Sequence, residues 1–333
     1  MNAAWTPDFW GLYRKQTEAA RDQLLAQVWA QRAVRMTLIQ QVVTTYVQLR
    51  ALDRQLEITK QTLKARQDSV NLTRTLEEGG AAPLSDLRQA EQLLYTATSQ
   101  IPQLEQQIQT QENAMSLLLG ANPGPVAHSD PNALTPPPQD LPTGLPTQLL
   151  ARRPDIQQAE AQLIAANAQI GVAKAAFYPD IALTGNAGYQ TLALSKLFSG
   201  PSSFWTVGPT LTVPIFTAGK LRSNVHLTEA QQQQALLTYQ QTIQQAFRDV
   251  SDSLIAYQKN REFREQQELL TASAEDSARL AQIRYEAGVA SYLEVLTNDT
   301  NFFAAQLNLA SAQQNELTAL VQVYNALGGG WVQ

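Results

Sequence analysis

Two acids carry the clearest chemical signal in this chain of 333 residues: Asp86 and Glu294, each six residues beyond a glycine, Gly80 and Gly288. Both fall in the first turn of a helical stretch, where the helix dipole favours a carboxylate. Ser291-Tyr-Leu-Glu294 also reads as a capping box, with Ser291 as N-cap and Glu294 reaching back to its amide. Capping alone is a sufficient reason for the acid. No other residues assemble into a reactive centre. The absence of cysteine excludes disulfides and cysteine-held metal. His128 lies in a proline-rich stretch and His226 in a helical one, with no H-E-x-x-H and no G-x-S-x-G. Gly328-Gly329-Gly330 lacks the Lys-Ser/Thr that would follow in a phosphate loop. Asp249 and Asp252 share a helical face, which solvation explains as well as chemistry does. The residues therefore point away from an enzyme, and they call for no cofactor and no metal.

The elements around the two acids repeat. Gly11 pairs with Gly219 at an offset of 219 − 11 = 208, and the same offset joins Arg14 to Arg222, Gly80 to Gly288, Ala82 to Ala290 and Gly120 to Gly328. Asp86 falls opposite Glu294. A constant offset without gaps indicates a duplicated unit. The length alone would suggest two globular domains, whereas the repeat argues for one elongated body with internal pseudo-symmetry.

Between Leu12 and Glu78 there is neither proline nor glycine, and Leu38, Val42, Thr45, Leu49, Leu52 and Leu56 step by 4 and 3 in turn, as in a coiled-coil seam. The matching run from Lys220 to Ala287 carries Ile243, Phe247, Val250, Leu254 and Tyr257 on the same step. At 1.5 Å per residue these helices would be on the order of 100 Å long. Each breaks at a glycine, in Glu78-Gly79-Gly80-Ala81-Ala82-Pro83 and in Glu286-Ala287-Gly288-Val289-Ala290-Ser291, and a shorter helix returns. A further helix is expected from about Pro154 to Ala176. Residues 121–148, with Pro136-Pro137-Pro138, read as an extended connector. The domain reading is thus a first repeat over 1–120, the connector over 121–148, and a complete second repeat over 149–333 with a β-hairpin at 180–213.

In that hairpin Ile181, Leu183, Ala187 and Tyr189 alternate with Ala182, Thr184, Asn186 and Gly188; then Trp205, Val207, Leu211 and Val213 alternate with Thr206, Gly208, Thr210 and Thr212. One apolar and one small polar face is the pattern of a transmembrane barrel strand. A hairpin laid on a soluble core has the same period. Trp205, Phe204, Tyr178 and Tyr189 near the strand ends suit an interfacial aromatic belt. The net charge of −5 offers no basic patch for nucleic acid. No stretch approaches the roughly 20 apolar residues of a membrane-spanning helix, so a membrane role has to come from strands.

Four motifs then carry a family resemblance: Ala151-Arg-Arg-Pro-Asp-Ile156, Ala173-Lys-Ala-Ala-Phe-Tyr-Pro-Asp180, Pro214-Ile-Phe-Thr-Ala-Gly219 and Ala326-Leu-Gly-Gly-Gly-Trp331. Over essentially the whole chain, the sequence resembles the TolC-like outer-membrane efflux proteins, and within them the lipoprotein channels that serve RND-type pumps. The resemblance implies a mainly α fold with a small β portion: long antiparallel helical hairpins forming an α-barrel, plus transmembrane β-barrel strands, in a tandem repeat. It also implies a homotrimer with twelve strands in the outer membrane, a periplasmic adaptor (membrane fusion) protein and an inner-membrane pump as partners, and contact with outer-membrane lipid. On that resemblance the turns at Gly80, Ala82, Gly288 and Ala290 meet the adaptor, and Asp86, Leu293 and Glu294 ring the periplasmic aperture. Thr297 replaces the second acid of the family ring, and Asp299 lies out of register. Taken alone, Leu293 reads more readily as a hairpin core residue than as a gate.

The second repeat begins near Pro146, which places the start of the first at 146 − 208 = −62. The expectation is therefore of a first repeat lacking its first helix and strand, with no signal peptide or lipid-accepting cysteine, and with Trp5 to Gly11 as the end of a strand. The function expected is a passive conduit for drugs or other small solutes in a tripartite efflux system. The alternative is a soluble or peripheral coiled-coil scaffold, which needs no barrel strands.

Overall fold

A computed structural model describes residues 1–127, 151–192, 194–198 and 200–329. Its elements run β1 (Asn2–Trp5), α1 (Leu12–Glu78), α2 (Leu84–Leu118), α3 (Pro154–Ala175), β2 (Asp180–Tyr189), β3 (Ser203–Thr212), α4 (Lys220–Glu286) and α5 (Tyr292–Ala326). The fold is mainly helical with a small sheet, as expected. The 208-residue offset holds at the bounds of the four long helices: α1 maps onto α4 (12 + 208 = 220, 78 + 208 = 286) and α2 onto α5 (84 + 208 = 292, 118 + 208 = 326). The body of the proline-rich connector, with His128, lies outside the described residues.

The residues group into two compact units, Met1–Ala33 with Leu150–Ala246 and Val34–Leu149 with Phe247–Gln333, and each unit draws on both repeats. The first holds the sheet, ordered β1-β2-β3 and antiparallel throughout. The expected strand end at Trp5 to Gly11 is corrected: β1 stops at Trp5. Pro7 has no N–H for a ladder, and Asp8 turns to α1, accepting the backbone N–H of Arg14 at 2.8 Å and so satisfying one of the free donors of its first turn. Trp10 stacks on Tyr178, with ring centroids 4.8 Å apart, and donates its indole N–H to the carbonyl of Pro179 at 2.8 Å. In α3 the buried positions are mostly alanine (Ala159, Ala161, Ala165, Ala168, Ala173), and these small side chains permit close helix approach. At Gly171 a Cβ would stand 3.1 Å from the Lys15 stem.

The second unit holds residues 34–78 of α1 and 247–286 of α4 together with α2 and α5. Val70, Leu87, Ala90, Leu94, Ala281, Tyr292 and Val295 form a core shared by all four helices, while Ile58, Phe303 and Ala310, and then Tyr257, Ala319, Leu320 and Val323, form two further clusters. The predicted seams are only partly interior: Leu49 and Tyr257 are buried, whereas Leu38 and Phe247 are exposed. The buried face of α1 is mixed, with Thr59, Thr62, Arg66 and Thr73 beside Leu49, Ile58 and Val70. A heptad pattern registers apolar side chains and passes over the hydrogen-bonding ones among them.

Candidate functional site

Both hairpin turns are closed by the same backbone device. The N–H of Gly80 bonds the carbonyl of Glu77 at 2.9 Å and that of Ala81 bonds Leu76 at 2.8 Å; Gly288 to Tyr285 and Val289 to Arg284, each at 2.9 Å, repeat the pattern. This double bond is a Schellman cap, which needs a left-handed residue at its centre. Gly80 and Gly288 both sit at φ +72°. The repeat kept glycine at the tips because other residues are strained there. Gly80 and Gly288 are exposed, and Ala82 and Ala290 half-exposed.

Beyond the turns the two acids part ways. Asp86 accepts the Ser85 hydroxyl at 3.3 Å. Its charge reaches the phenols of Tyr285 and Tyr292, which are held above the usual tyrosine range first by burial and then in part by this neighbour. Glu294 pairs instead with Arg284 across the turn, Nε to Oε1 3.4 Å. The capping box is corrected: Ser291 is the N-cap by backbone, but no side-chain cap bond forms. The guanidinium in the last turn of α4 offers the Glu294 carboxylate a charge-assisted partner that the Ser291 amide cannot match. Leu293 is 58 % exposed and so is not a core residue of its own hairpin.

Asp299, which looked out of register, belongs to a buried polar contact behind the tip. Arg66, almost fully buried, places Nε 3.0 Å and Nη2 2.9 Å from Asp299 Oδ2 and donates Nη1 to the carbonyl of Leu93 at 2.9 Å. Its guanidinium carbon also lies 5.0 Å from the centre of the Phe303 ring. One side chain of α1 thus ties together α2 and α5. Above and below it run three further rungs from α1 to α5: Gln40 to Asn325 at 2.7 Å, Gln55 to Ser311 at 3.3 Å, and Ser69 to Tyr292 at 3.1 Å. A cavity of about 450 Å³ opens beside them, lined by Arg66, Asp68, Glu286, Tyr292 and Asp299 among others. Sequence reasoning missed Arg66 and Tyr292. The available signal was that Asp299 stands 208 residues after Glu91, another acid that forms a cross-helix ion pair, with Arg74 at 3.7 Å.

At the sheet, register sorts the side chains. Ile181 faces Leu211, Gly185 faces Val207 and Ala187 faces Trp205, while Trp5 of β1 faces Leu183. On the other side Thr184, Asn186, Thr206, Thr210 and Thr212 present small polar groups. The apolar side is bare: Trp5 is 65 %, Trp205 76 % and Leu211 64 % exposed. Among the described residues no core covers it. Trp205 and Tyr189 share this side. Phe204 lies on the other, over Gly188, where a Cβ would meet its ring at 3.2 Å, so it is removed from the expected belt. A second aromatic group, Phe9, Trp10, Tyr13, Phe177, Tyr178 and Phe216, stands exposed where all three strands join helices. Ten residues of strand, at about 3.4 Å each and tilted by about 40°, separate the two groups by roughly 25 Å, the height of a barrel's apolar band. No described helix is long and apolar enough to cross a membrane.

The outer membrane efflux protein profile matches residues 1–121 and 145–329. A probable efflux pump outer membrane protein of Pseudomonas putida, SepC, is 38% identical over 332 residues, which cover 99% of this chain and 69% of that protein. The cation efflux system protein CusC of Escherichia coli is 35% identical over 333 residues, covering 100% of this chain and 72% of CusC. Among solved structures, a membrane protein of Pseudomonas aeruginosa superposes with a TM-score of 0.90 at 36% identity, over 98% of this chain and 74% of that one. The outer membrane protein VceC of Vibrio cholerae gives 0.87 at 29%, over 99% and 79%. With the turns, the sheet and these likenesses in agreement, the chain belongs to the outer membrane efflux protein family.

Proposed function

We propose that this chain is the outer-membrane conduit of a tripartite efflux system, passive in itself and working as a homotrimer with a periplasmic adaptor and an RND-type inner-membrane pump. The observation that carries the proposal is the two-faced sheet, whose apolar side and small polar side are both uncovered in the protomer. Only a barrel wall, with lipid outside and water inside, satisfies both faces together. A coiled-coil scaffold has no use for such strands. Transport in this reading requires no catalytic centre: the helices rich in Gln, Ser, Thr and Ala line water, and the pump supplies the energy. The cargo is a small solute; the relatives are named for toluene, solvent, antibiotic and cation efflux.

In the same reading the repeat spans 1–120 and 149–333, with the connector at 121–148 between. Gly80, Ala82, Gly288 and Ala290 form adaptor-contacting tips, and Asp86, Leu293 and Glu294 border the periplasmic aperture. The partial exposure of Glu294 and the exposure of Leu293 support a role toward the lumen. In planar bilayers the D86A/E294A double variant should lose cation preference, since three protomers would bring six carboxylates to one opening. Unchanged ion selectivity would reject the aperture assignment. Absence of any conductance from the protein, with fractionation away from the outer membrane, would reject the channel itself.

A further inference from the structure

The two repeats leave their return helices by the same turn. At the end of α2 the N–H groups of Gly120 and Ala121 bond the carbonyls of Leu117 and Ser116 at 3.0 and 2.8 Å; at the end of α5 those of Gly328 and Gly329 bond Asn325 and Tyr324 at 3.0 and 2.9 Å. Past the first turn the chain folds back along α2. There the Ser116 hydroxyl donates to the carbonyl of Gly124 at 3.3 Å, and the N–H of Val126 bonds the Glu112 carboxylate at 3.1 Å. In the second repeat these two anchoring positions hold Tyr324 and Leu320 (116 + 208 = 324, 112 + 208 = 320). Leu320 offers no acceptor, so a chain folding back along α5 needs an apolar fastener. Pro123, inside the folded-back stretch, stands opposite Trp331 (123 + 208 = 331). Trp331 itself lies outside the described residues.

A groove of about 300 Å³ lies beside that turn, lined by Met36, Ile39 and Val43 of α1, by Val321 and Tyr324 of α5 and by Gly329 itself. Met36, Ile39 and Val321 are half-buried and Val43 is exposed, so an apolar side chain laid there takes their surface from water. The polar members of the lining are Gln40 and Asn325. The Asn325 amide donates to the Gln40 side-chain oxygen at 2.7 Å, whereas its own oxygen is buried with no partner among the described residues. A buried acceptor is costly until a donor reaches it. Tryptophan brings both things that this groove lacks: a large apolar ring, and one N–H donor with no acceptor of its own to bury. Two residues of extended chain span up to about 7 Å, so Trp331 can reach the groove from Gly329.

We infer that the Trp331 side chain occupies this groove in its own chain, clasping α5 to α1 with its indole N–H on the Asn325 oxygen. The clasp does not depend on the channel reading. Fluorine NMR of the detergent-solubilised full chain, grown with 5-fluorotryptophan, tests it, and W331F identifies the Trp331 resonance among the five tryptophans. That resonance should show less than a third of the solvent shift between H2O and D2O that free 5-fluorotryptophan shows. V43F, which fills the groove, should restore at least two-thirds of that shift. A full solvent shift in the unsubstituted protein overturns the clasp, and so does a shift that V43F leaves small. N325L keeps the size of the side chain without its acceptor and should displace the Trp331 resonance; an unmoved resonance overturns the hydrogen bond. Mixed assemblies of V43F and W331F chains separate the chain's own Trp331 from that of a second copy, because only the V43F chains then carry Trp331. An exposed Trp331 in the mixture supports the clasp within one chain, and a protected one overturns it in favour of exchange between copies.

Discussion

The two hairpins share a backbone and differ in what fastens it. Both long helices have 67 residues, both return helices 35, and both turns close with the same cap. In the second hairpin a buried ion pair joins its two helices: Arg264 meets Glu316, whose side chain is 4 % exposed, while Glu268 and Glu265 take the other guanidinium nitrogens at 2.7 and 3.6 Å. The equivalent places in the first hairpin are Leu56 and Ile108 (264 − 208 = 56, 316 − 208 = 108), two half-buried apolar residues. At the tip the roles are uneven again. Tyr292 is buried, bonded to Ser69 and packed edge-on against Tyr285, whereas its counterpart Leu84 is 52 % exposed. Duplication fixed where the chain turns, and the side chains then made one arm tighter than the other.

The largest test of that contrast removes one ion of the buried pair. R264A leaves the Glu316 carboxylate uncompensated and should cost about 3 kcal/mol of stability, at the low end for such a deletion because Arg264 is partly exposed. R264M/E316L converts the second hairpin to the apolar solution of the first and should recover most of the loss; denaturant midpoints of the detergent-solubilised protein measure both. If R264A is as stable as the parent, the pair fastens nothing. Next in size, G80A and G288A should each cost roughly 1–2 kcal/mol, because each forces a left-handed alanine. Their costs should match within 0.5 kcal/mol or so, the usual scatter of independent sites, and a large inequality would break the claim that the two turns are the same device. Y292L, which gives the second tip the residue of the first, should cost about 1 kcal/mol through the lost hydroxyl bond and ring contact, whereas L84Y should be near neutral.

The smallest effect is in pH. Burial raises the Tyr292 phenol above its ordinary value near 10. A raised folded value means its contribution is complete below the unfolded pKa and is lost as pH climbs through the folded one. Thermal unfolding between pH 9 and 11 should therefore fall less steeply in Y292F than in the parent, and identical slopes would remove Tyr292 from the alkaline response.

The helix bounds were legible because they are set by local residues. Glycines at a fixed offset mark caps, and their absence from 12–78 and 220–286 marks uninterrupted helix. The strand faces were legible for the same reason, since alternation is a property of neighbours. Arg66 was not. Its worth depends on Asp299, 233 residues away, and on which faces of α1 and α5 meet, which no local pattern encodes. The capping box misled in a related way: Ser291 and Glu294 have the right spacing, but Arg284, from the preceding helix, takes the acid. Phe204 and Trp205 both stand near a strand end, which suits a belt, but neighbours in a strand point to opposite sides.

The rungs between α1 and α5 also set an order in time. Arg264 finds Glu316 within 52 residues, so the second hairpin can close on itself as soon as it exists. The first hairpin has Gln48–Gln111 and Arg74–Glu91 within itself, but its Gln40, Gln55 and Arg66 bond residues 285, 256 and 233 positions later. Until α5 docks, these side chains of α1 stand without their partners, and the settling of α1 depends on α5.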